Sequence, residues 1–320
     1  MRSGGKRIVE LIGWGAVSGT GIVMLTQTLR WQGSRAMAVA QSLTPYLALA
    51  MAPVGFVALV ARRGTMAVAA SAVGVGGLVL VRPVALPPAP RAGADGASTG
   101  LRIASLNLLY TNDESSIAEV ADDLRLRDLD VIVFVEYTAG HERALRDSEL
   151  VDDYPCRIER SGPGASGIAI WSKMPATVDD RGDTTDRTLD VTVQSATGAV
   201  RVLAVHAHTP TSDFEIWKRD LDQFGRLGRA GDDPTVVIGD FNASFWHPSF
   251  RALLDDGFTD AHIALGHGFS VSWPDDAWYP PFIRLDHALT TDSLVPLDVE
   301  DFDIAGSDHR GLVVTVAPVR

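Results

Sequence analysis

A single cysteine, Cys156, stands in the whole chain, so no intrachain disulfide can form and no cysteine cage for a metal exists. Acids are nearly missing from the first hundred residues, which hold Glu10 and Asp95 against nine Lys/Arg. Afterwards acids outnumber bases two to one. Residues 101–320 keep 19 of the 28 Lys/Arg but 38 of the 40 Asp/Glu, a net of −19. That imbalance argues against salt-driven binding to nucleic acid, which needs clustered Lys/Arg to displace counterions. It leaves phosphate chemistry open, because bound divalent cations invert the local field.

Charge is also lacking from three apolar stretches near the start: Ile8 to about Leu29, broken by Glu10; Ala36 to Ala61, containing Gln41 and Pro45; and Thr65 to Val81, with no charge at all. Each approaches the roughly 20 residues that cross a bilayer. Apolar residues run all round these segments with no polar face, and small residues at this density suit helix packing in lipid. The expectation is a membrane region over 1–82 with about three transmembrane helices, whose partner is the lipid bilayer of the cell membrane. The N-terminus and the Arg62-Arg63 loop would share one side, with Arg2, Lys6 and Arg7; Arg30, Arg35, Arg82 and Arg91 lie on the other. That excess places the N-terminus in the cytoplasm and the remainder of this multi-pass chain outside it. Glu10 is the only ionisable group near the interior of the spans, which leaves a transporter or channel without support. Residues 83–100, rich in Pro, Gly and Ala, cannot bury enough apolar surface to fold and read as a tether.

From Leu101 the texture changes. Leu101–Asn107, Val131–Glu136, Gly167–Ser172, Thr188–Gln194, Arg201–Ala207, Thr235–Asp240, Arg284–Leu289 and Gly311–Ala317 read as strands. Glu114–Arg127, Ala139–Leu150, Phe214–Arg229 and Ser249–Leu254 read as helices. Helices interleave with strands, yet several strands follow one another directly. This predicts an α/β domain over 101–320 with two packed sheets flanked by helices.

Polar residues collect where these strands end. Thr235-Val236-Val237-Ile238 runs into Gly239-Asp240-Phe241-Asn242, and residues two apart in extended chain share a side, so Asp240 and Asn242 emerge together. Asn107 ends the first strand and Glu136 the second; His206 and His208 close a later one. Asp286 lies within Arg284–Leu289, and Ser307-Asp308-His309 precedes the last strand. The set holds carboxylates, amides and imidazoles but no nucleophilic Ser or Cys motif. Hard oxygen ligands of this kind suit Mg²⁺, or Mn²⁺, better than zinc. Such a site favours metal-assisted attack of water on a phosphorus ester.

This ordered set resembles the endonuclease/exonuclease/phosphatase (DNase I-like) superfamily, through Ser105-Leu106-Asn107, Phe134-Val135-Glu136, Val205-His206, Gly239-Asp240-Phe241-Asn242, Leu285-Asp286-His287 and Ser307-Asp308-His309. The attached spans look similar to its membrane-anchored bacterial branch. The resemblance implies a four-layer α/β sandwich and Mg²⁺-dependent cleavage of phosphodiesters or phosphomonoesters. By that resemblance Glu136 is the principal metal ligand, with Asn107 and Asp308 in support. Asp240 activates water, Asn242 orients it, and His309 faces the phosphoryl oxygen with Asp286 behind it. His206 meets the phosphate or leaving oxygen; His208 competes for that role, and strand register favours His206. Arg284 either meets a phosphate or pairs with a neighbouring acid. Trp246, with His247, is a rim packing pair or a wall of the substrate cleft. Leu109 stands where many nucleases of this fold carry an acid, so a second metal position lacks that ligand. Substrates in view are a lipid headgroup, a small phosphodiester or nucleic acid. The alternatives are a metal-dependent nuclease acting on DNA and a non-catalytic, membrane-tethered binding module. No obligate protein partner is evident.

Overall fold

The computed structural model describes residues 2–86, 100–179 and 185–319. By contacts the chain divides into two compact units, Met1–Leu86 with Phe245–Arg251, and Pro87–Ser244 with Ala252–Arg320. Most of the expected tether, residues 87–99, lies outside the described residues.

The first unit is built from α1 (Arg2–Thr28), α2 (Arg35–Ser42), α3 (Thr44–Val60) and α4 (Gly64–Ala85). Arg7–Thr28 and Gly64–Ala85 are each long and apolar enough to cross a membrane. The middle stretch, expected as one continuous span, is broken: α2 and α3 are bent by 68°, and counting the pair as one span gives three. Pro45 sits in the first turn of α3, where its missing N–H is harmless but its ring prevents the preceding helix from running on. Large side chains such as Leu11, Phe56 and Leu78 face outward, while small ones pack inward. A Cβ on Gly77 would lie 2.5 Å from that of Ala48, so only glycine permits this approach of α4 to α3. Buried amides and hydroxyls pair with one another: Gln27 donates to Thr44 (3.0 Å), Gln41 to Thr26 (3.0 Å) and Gln32 to Gln41 (2.8 Å), while the Gln27 amide oxygen has no partner among the described residues. Within the same unit His247 Nε2 donates to the Ala38 carbonyl (3.0 Å) and Arg251 to that of Gln27 (2.9 Å).

The second unit runs β1 (Leu101–Asn107), α5 (Glu114–Arg125), β2 (Val131–Val135), α6 (Ala139–Asp147), α7 (Leu150–Asp153), β3 (Cys156–Ser161), β4 (Gly167–Ser172), β5 (Ala176–Val178), β6 (Thr188–Ser195), β7 (Gly198–His206), α8 (Phe214–Gly228), β8 (Thr235–Asp240), α9 (Pro248–Asp255), β9 (Thr259–Asp260), α10 (Ala261–Ala264), β10 (Asp286–Thr290), β11 (Leu294–Asp303) and β12 (Arg310–Pro318). The strands form two mixed six-stranded sheets, ordered β11-β12-β1-β2-β4-β3 and β5-β6-β7-β8-β10-β9. Alternation decides which layer each side chain joins. Ile103, Val131, Val133, Val135, Ile168 and Ile170 point into the gap between the sheets, meeting Val202, Ala204, Val236 and Ile238. Their neighbours Ala104, Leu106, Ile132, Phe134 and Trp171 face the other way, under Ile117, Val120 and Leu124 of α5. On the far sheet α8 buries Trp217, Leu221 and Phe224, the last edge-on to Phe241. The result is the expected four-layer sandwich of two mixed sheets between helices.

Four strands, β3, β5, β9 and β11, were not expected. All four are edge strands, and β11 carries Pro296 at a register shift and sets four acids among its apolar residues. The expected helix Ala139–Leu150 stops at Asp147, where Ser148 turns extended (φ −86°, ψ 159°).

Candidate active site

Asn107, Val135, His206 and Asp240 end β1, β2, β7 and β8, while Asp286 and Arg310 begin antiparallel neighbours. All six positions therefore lie at one edge of the sandwich. Register aligns them further: His206 is opposite Asp240, and Asp240 opposite Asp286. Gly239 allows the turn-out, because its φ of +144° would press a Cβ to within 2.0 Å of the Val205 carbonyl oxygen.

Two site residues hold left-handed backbone, Glu136 (φ +55°) and Asn242 (φ +45°). Asparagine tolerates this, whereas glutamate pays about 1 kcal/mol. Glu136 is kept there by its surroundings. His141 Nδ1 donates to its carbonyl (3.1 Å), Tyr110 N to its Oε2 (2.9 Å) and Asn107 Nδ2 to its Oε1 (3.2 Å). Asn107 Nδ2 also lies 3.1 Å from Asp240 Oδ2, so one amide joins acids from both sheets.

Asp240 Oδ1 accepts from Asn242 N (2.7 Å), and Asn242 Nδ2 donates to the Ala207 carbonyl (2.9 Å). His206 is buried with Nε2 at 3.6 Å from Glu136 and 3.7 Å from Asp240. His309 Nδ1 donates to Asp286 Oδ2 (2.8 Å), leaving Nε2 facing Asp240 (3.8 Å) and Asp308 (4.0 Å). Ser307 ties this loop to β1 by donating to the Asn107 carbonyl (2.8 Å).

The electrostatics follow from burial. Desolvation, reinforced by Asp286 and Glu136 and opposed by His309, pushes the Asp240 carboxyl up to about 7. Desolvation works against the His309 cation, but Asp286 and Asp240 outweigh it and raise the imidazole to about 10. Desolvation and the nearby Arg187 cation hold His206 well below its ordinary value, so it is neutral.

Glu136, Asp240, Asp286 and Asp308 have no Lys or Arg ion-pair partner among the described residues. Carboxylates packed this closely without a cation fit a hard dication, whereas Asn107 turns its amide nitrogen to Glu136 and Asp240 and its oxygen to Leu109 N (3.0 Å), not to the acids as a ligand would. Ligand atoms of Asp240, Asp286 and His309 lie within 4.8 Å of one another, close enough for an ion. A cationic His309 whose Nδ1 proton is committed to Asp286 is a poor ligand, however.

His208 is turned away from the cluster, with Nδ1 at 2.8 Å from Asp220 on α8. Arg284 is engaged with Asp301 (2.6 Å) and the Asp286 carbonyl (3.2 Å), which is the acid-pairing alternative. Trp246 is buried edge-on to Phe245 and His247 is buried, both in the first unit. His262 is buried, with Nε2 3.2 Å from Asp301.

Sequence reasoning missed several supports. Ser272 Oγ donates to Asp286 Oδ2 (2.7 Å), and Trp273 Nε1 to Asp308 Oδ2 (3.0 Å). From Trp273 a row of rings leads outward through Phe282 (6.4 Å between centroids) and Tyr279 (5.9 Å) to Trp278 (5.4 Å), which is 96% exposed. The aromatic, Pro-rich composition of 273–282 was the available signal, but nothing in it tells a packed loop from a supporting one.

The profile of the Endonuclease/Exonuclease/phosphatase family matches residues 104–309. No curated protein matches the chain. Among solved structures, a humanized D. rerio TDP2 is similar at 19% identity over 69% of this chain and 100% of that one, with a TM-score of 0.58. D. rerio TDP2 complexed with single strand DNA product gives 17%, 68%, 98% and 0.56. An endonuclease/exonuclease/phosphatase from Beutenbergia cavernae DSM 12333 gives 21%, 69%, 72% and 0.50. At these identities the likeness is one of fold.

Proposed function

We propose, from the premise that this chain belongs to the endonuclease/exonuclease/phosphatase family, that it is a membrane-anchored, Mg²⁺-dependent phosphoesterase hydrolysing a phosphodiester or phosphomonoester. The family fixes the coarser class, a metal-dependent phosphoester hydrolase. The observation that carries the reading is the opposition of a buried Asp240, its carboxyl raised to about 7, to a cationic His309 whose Nε2 lies 3.8 Å away.

Asp240 takes the proton of the attacking water, which its raised basicity suits at neutral pH. Asn242 braces Asp240 through its backbone N–H and keeps the water on line. His309 donates from Nε2 to a phosphoryl oxygen as charge builds there, an interaction worth about 3 kcal/mol in comparable sites. Asp286 fixes the tautomer and holds the cation. Neutral His206 donates from Nε2 towards the phosphate or leaving oxygen. Glu136 and Asp308 would hold a Mg²⁺ whose charge supplies electrostatic stabilisation of the phosphoryl group, with Asn107 bracing Glu136 beside it.

The net of −19 and the exposed aromatic row ending on Trp278 favour a lipid headgroup or small phosphodiester over duplex DNA, since such rings suit the bilayer interface. A nuclease is the second reading, favoured by the neighbour solved with single strand DNA product. The reading places the site outside the cytoplasm, on three crossings. Full-length protein in detergent with Mg²⁺, offered plasmid DNA, phospholipid vesicles and a chromogenic phosphodiester, tests it. Turnover of phospholipid or chromogenic ester, abolished by His309→Ala, is expected. Nicking of DNA alone moves the assignment to the second reading. No cleavage of any substrate, with Asp240→Asn indistinguishable from wild type, leaves a binding module.

A further inference from the structure

The register that aligns His206, Asp240 and Asp286 extends one strand further. His206 N donates to the Arg187 carbonyl (2.9 Å), just before Thr188 pairs with Val205. Residues opposite one another in an antiparallel pair project to the same face. Arg187 obeys this, its Nη1 lying 3.4 Å from His206 Nδ1. A guanidinium only donates, so Nδ1 accepts from Arg187 and Nε2 is left facing the acids. One rung across four neighbouring strands thus reads Arg187, His206, Asp240, Asp286.

Arg187 differs from most bases of this acidic unit. Arg102, Arg127, Arg146, Arg201, Arg226, Arg284 and Arg310 all pair with carboxylates. Arg187 has no acid partner among the described residues and is only half-buried, so its remaining N–H groups are available. Beside it Arg160 on β3 reaches the Thr188 carbonyl (3.3 Å) and has no acid partner among the described residues either. Two arginines without acids, in a unit with twice as many acids as bases, adjoin the acid cluster at the end of its own rung.

We propose that Arg187, backed by Arg160, forms a phosphate-binding subsite next to the reacting centre, and that the substrate carries a second anionic group there. This rests on the hydrolase reading above. The scissile phosphorus belongs between Asp240 and His309, whereas Arg187 stands two strands from Asp240, roughly 10 Å along the rung. Its side chain reaches back as far as His206, which leaves the fork for a group adjoining the scissile phosphate. A guanidinium suits phosphate oxygens because its N–H groups can donate in pairs. A phosphorylated lipid headgroup and a nucleic-acid strand both supply this chemistry.

The test compares full-length wild type, Arg187→Gln, Arg160→Gln and the surface control Arg226→Gln in detergent. Soluble substrates are the p-nitrophenyl ester of thymidine 5′-phosphate and the same ester bearing a 3′-phosphate. Vesicles of phosphatidylinositol and of its 4-phosphate form the lipid arm, and oligonucleotide the nucleic-acid arm. Wild type should prefer the second phosphate in whichever arm it cleaves. Arg187→Gln should raise KM about tenfold more for the doubly charged substrates than for the singly charged ones, with any change in kcat through His206 common to both classes, and melt as wild type does. Arg160→Gln should give a smaller KM effect and Arg226→Gln none. Calorimetric titration with inorganic pyrophosphate reads the subsite without turnover and should weaken about tenfold in Arg187→Gln. Equal loss on both substrate classes, or unchanged KM and unchanged pyrophosphate binding, overturns the subsite. Absence of cleavage by wild type with Arg187-dependent pyrophosphate binding would instead sink the hydrolase reading and keep the subsite.

Discussion

Two aspartate–histidine pairs sit side by side on β10, one built on Asp286 and the other on His287. Their hydrogen bonds are alike: 2.8 Å from His309 to Asp286, and 2.7 Å between His287 and Asp260. Their outcomes differ because strand alternation sends the adjacent residues to opposite faces. His287 places its second nitrogen on the Ala243 carbonyl (2.9 Å) and its ring edge-on to Phe241, so both nitrogens are used up in holding the chain. His309 keeps Nε2 turned towards Asp240, with no closer partner than 3.8 Å. The acids diverge too. Although burial opposes it, His287 draws Asp260 down to about 2, whereas burial drives Asp240 up to about 7. A buried Asp–His pair is thus not in itself a catalytic signature; an imidazole edge left facing a second acid is.

That contrast can be broken most sharply at His309. His309→Ala should cut kcat by about 10³-fold with little change in melting temperature, measured by steady-state rates and thermal denaturation. Asp260→Ala should do the reverse. It leaves His287 buried without its acid and should cost about 3 kcal/mol in denaturant unfolding, while activity per folded molecule persists. Because Asp260 is depressed to about 2, its contribution is complete above the unfolded value near ~4 and fades as pH falls through about 2, so the variant should lose the acid-side slope of stability.

Glu136, the proposed metal ligand, gives a third contrast. Glu136→Gln should raise the Mg²⁺ concentration for half-maximal activity by about tenfold or more, read by metal titration. A pH–rate profile sharpens the pair further. The rate should rise as Asp240 deprotonates through about 7 and fall as His309 loses its proton near 10, and Asp286→Asn should move the alkaline limb to lower pH. The smallest effect is expected at Ser272→Ala. It removes one donor to Asp286 but leaves the pair intact, so kcat should fall by about tenfold or less with the alkaline limb displaced.

The strand-end acids and amides were legible because each follows an uninterrupted buried strand, where a polar residue stands out. The same legibility failed at the sheet edges. Edge strands β3 and β11 are half-exposed and interrupted by charged residues, Arg157, Glu159 and Arg160 in one and four acids in the other, so neither carries an apolar run. Arg187 escaped notice because nothing local marks it; only the pairing of β6 with β7 brings it to His206. The bend between α2 and α3 was foreshadowed by Pro45, but the apolar composition either side reads as continuous. Ser272 and Trp273 sit in a loop whose sequence carries no period at all.

Asn107 gains a further meaning from the two hydrogens it offers. One amide nitrogen lies against Glu136 at 3.2 Å and Asp240 at 3.1 Å, and these acids belong to different sheets. It acts as a gauge block between the layers, setting the separation of Glu136 and Asp240 without neutralising either. An aspartate there would remove both donors and add a further negative charge, and a lysine would cancel the basicity that Asp240 needs. The side chain at position 107 is therefore chosen by the gap between the sheets, so any change that widens the sandwich will be felt first as a mismatch between two carboxylates.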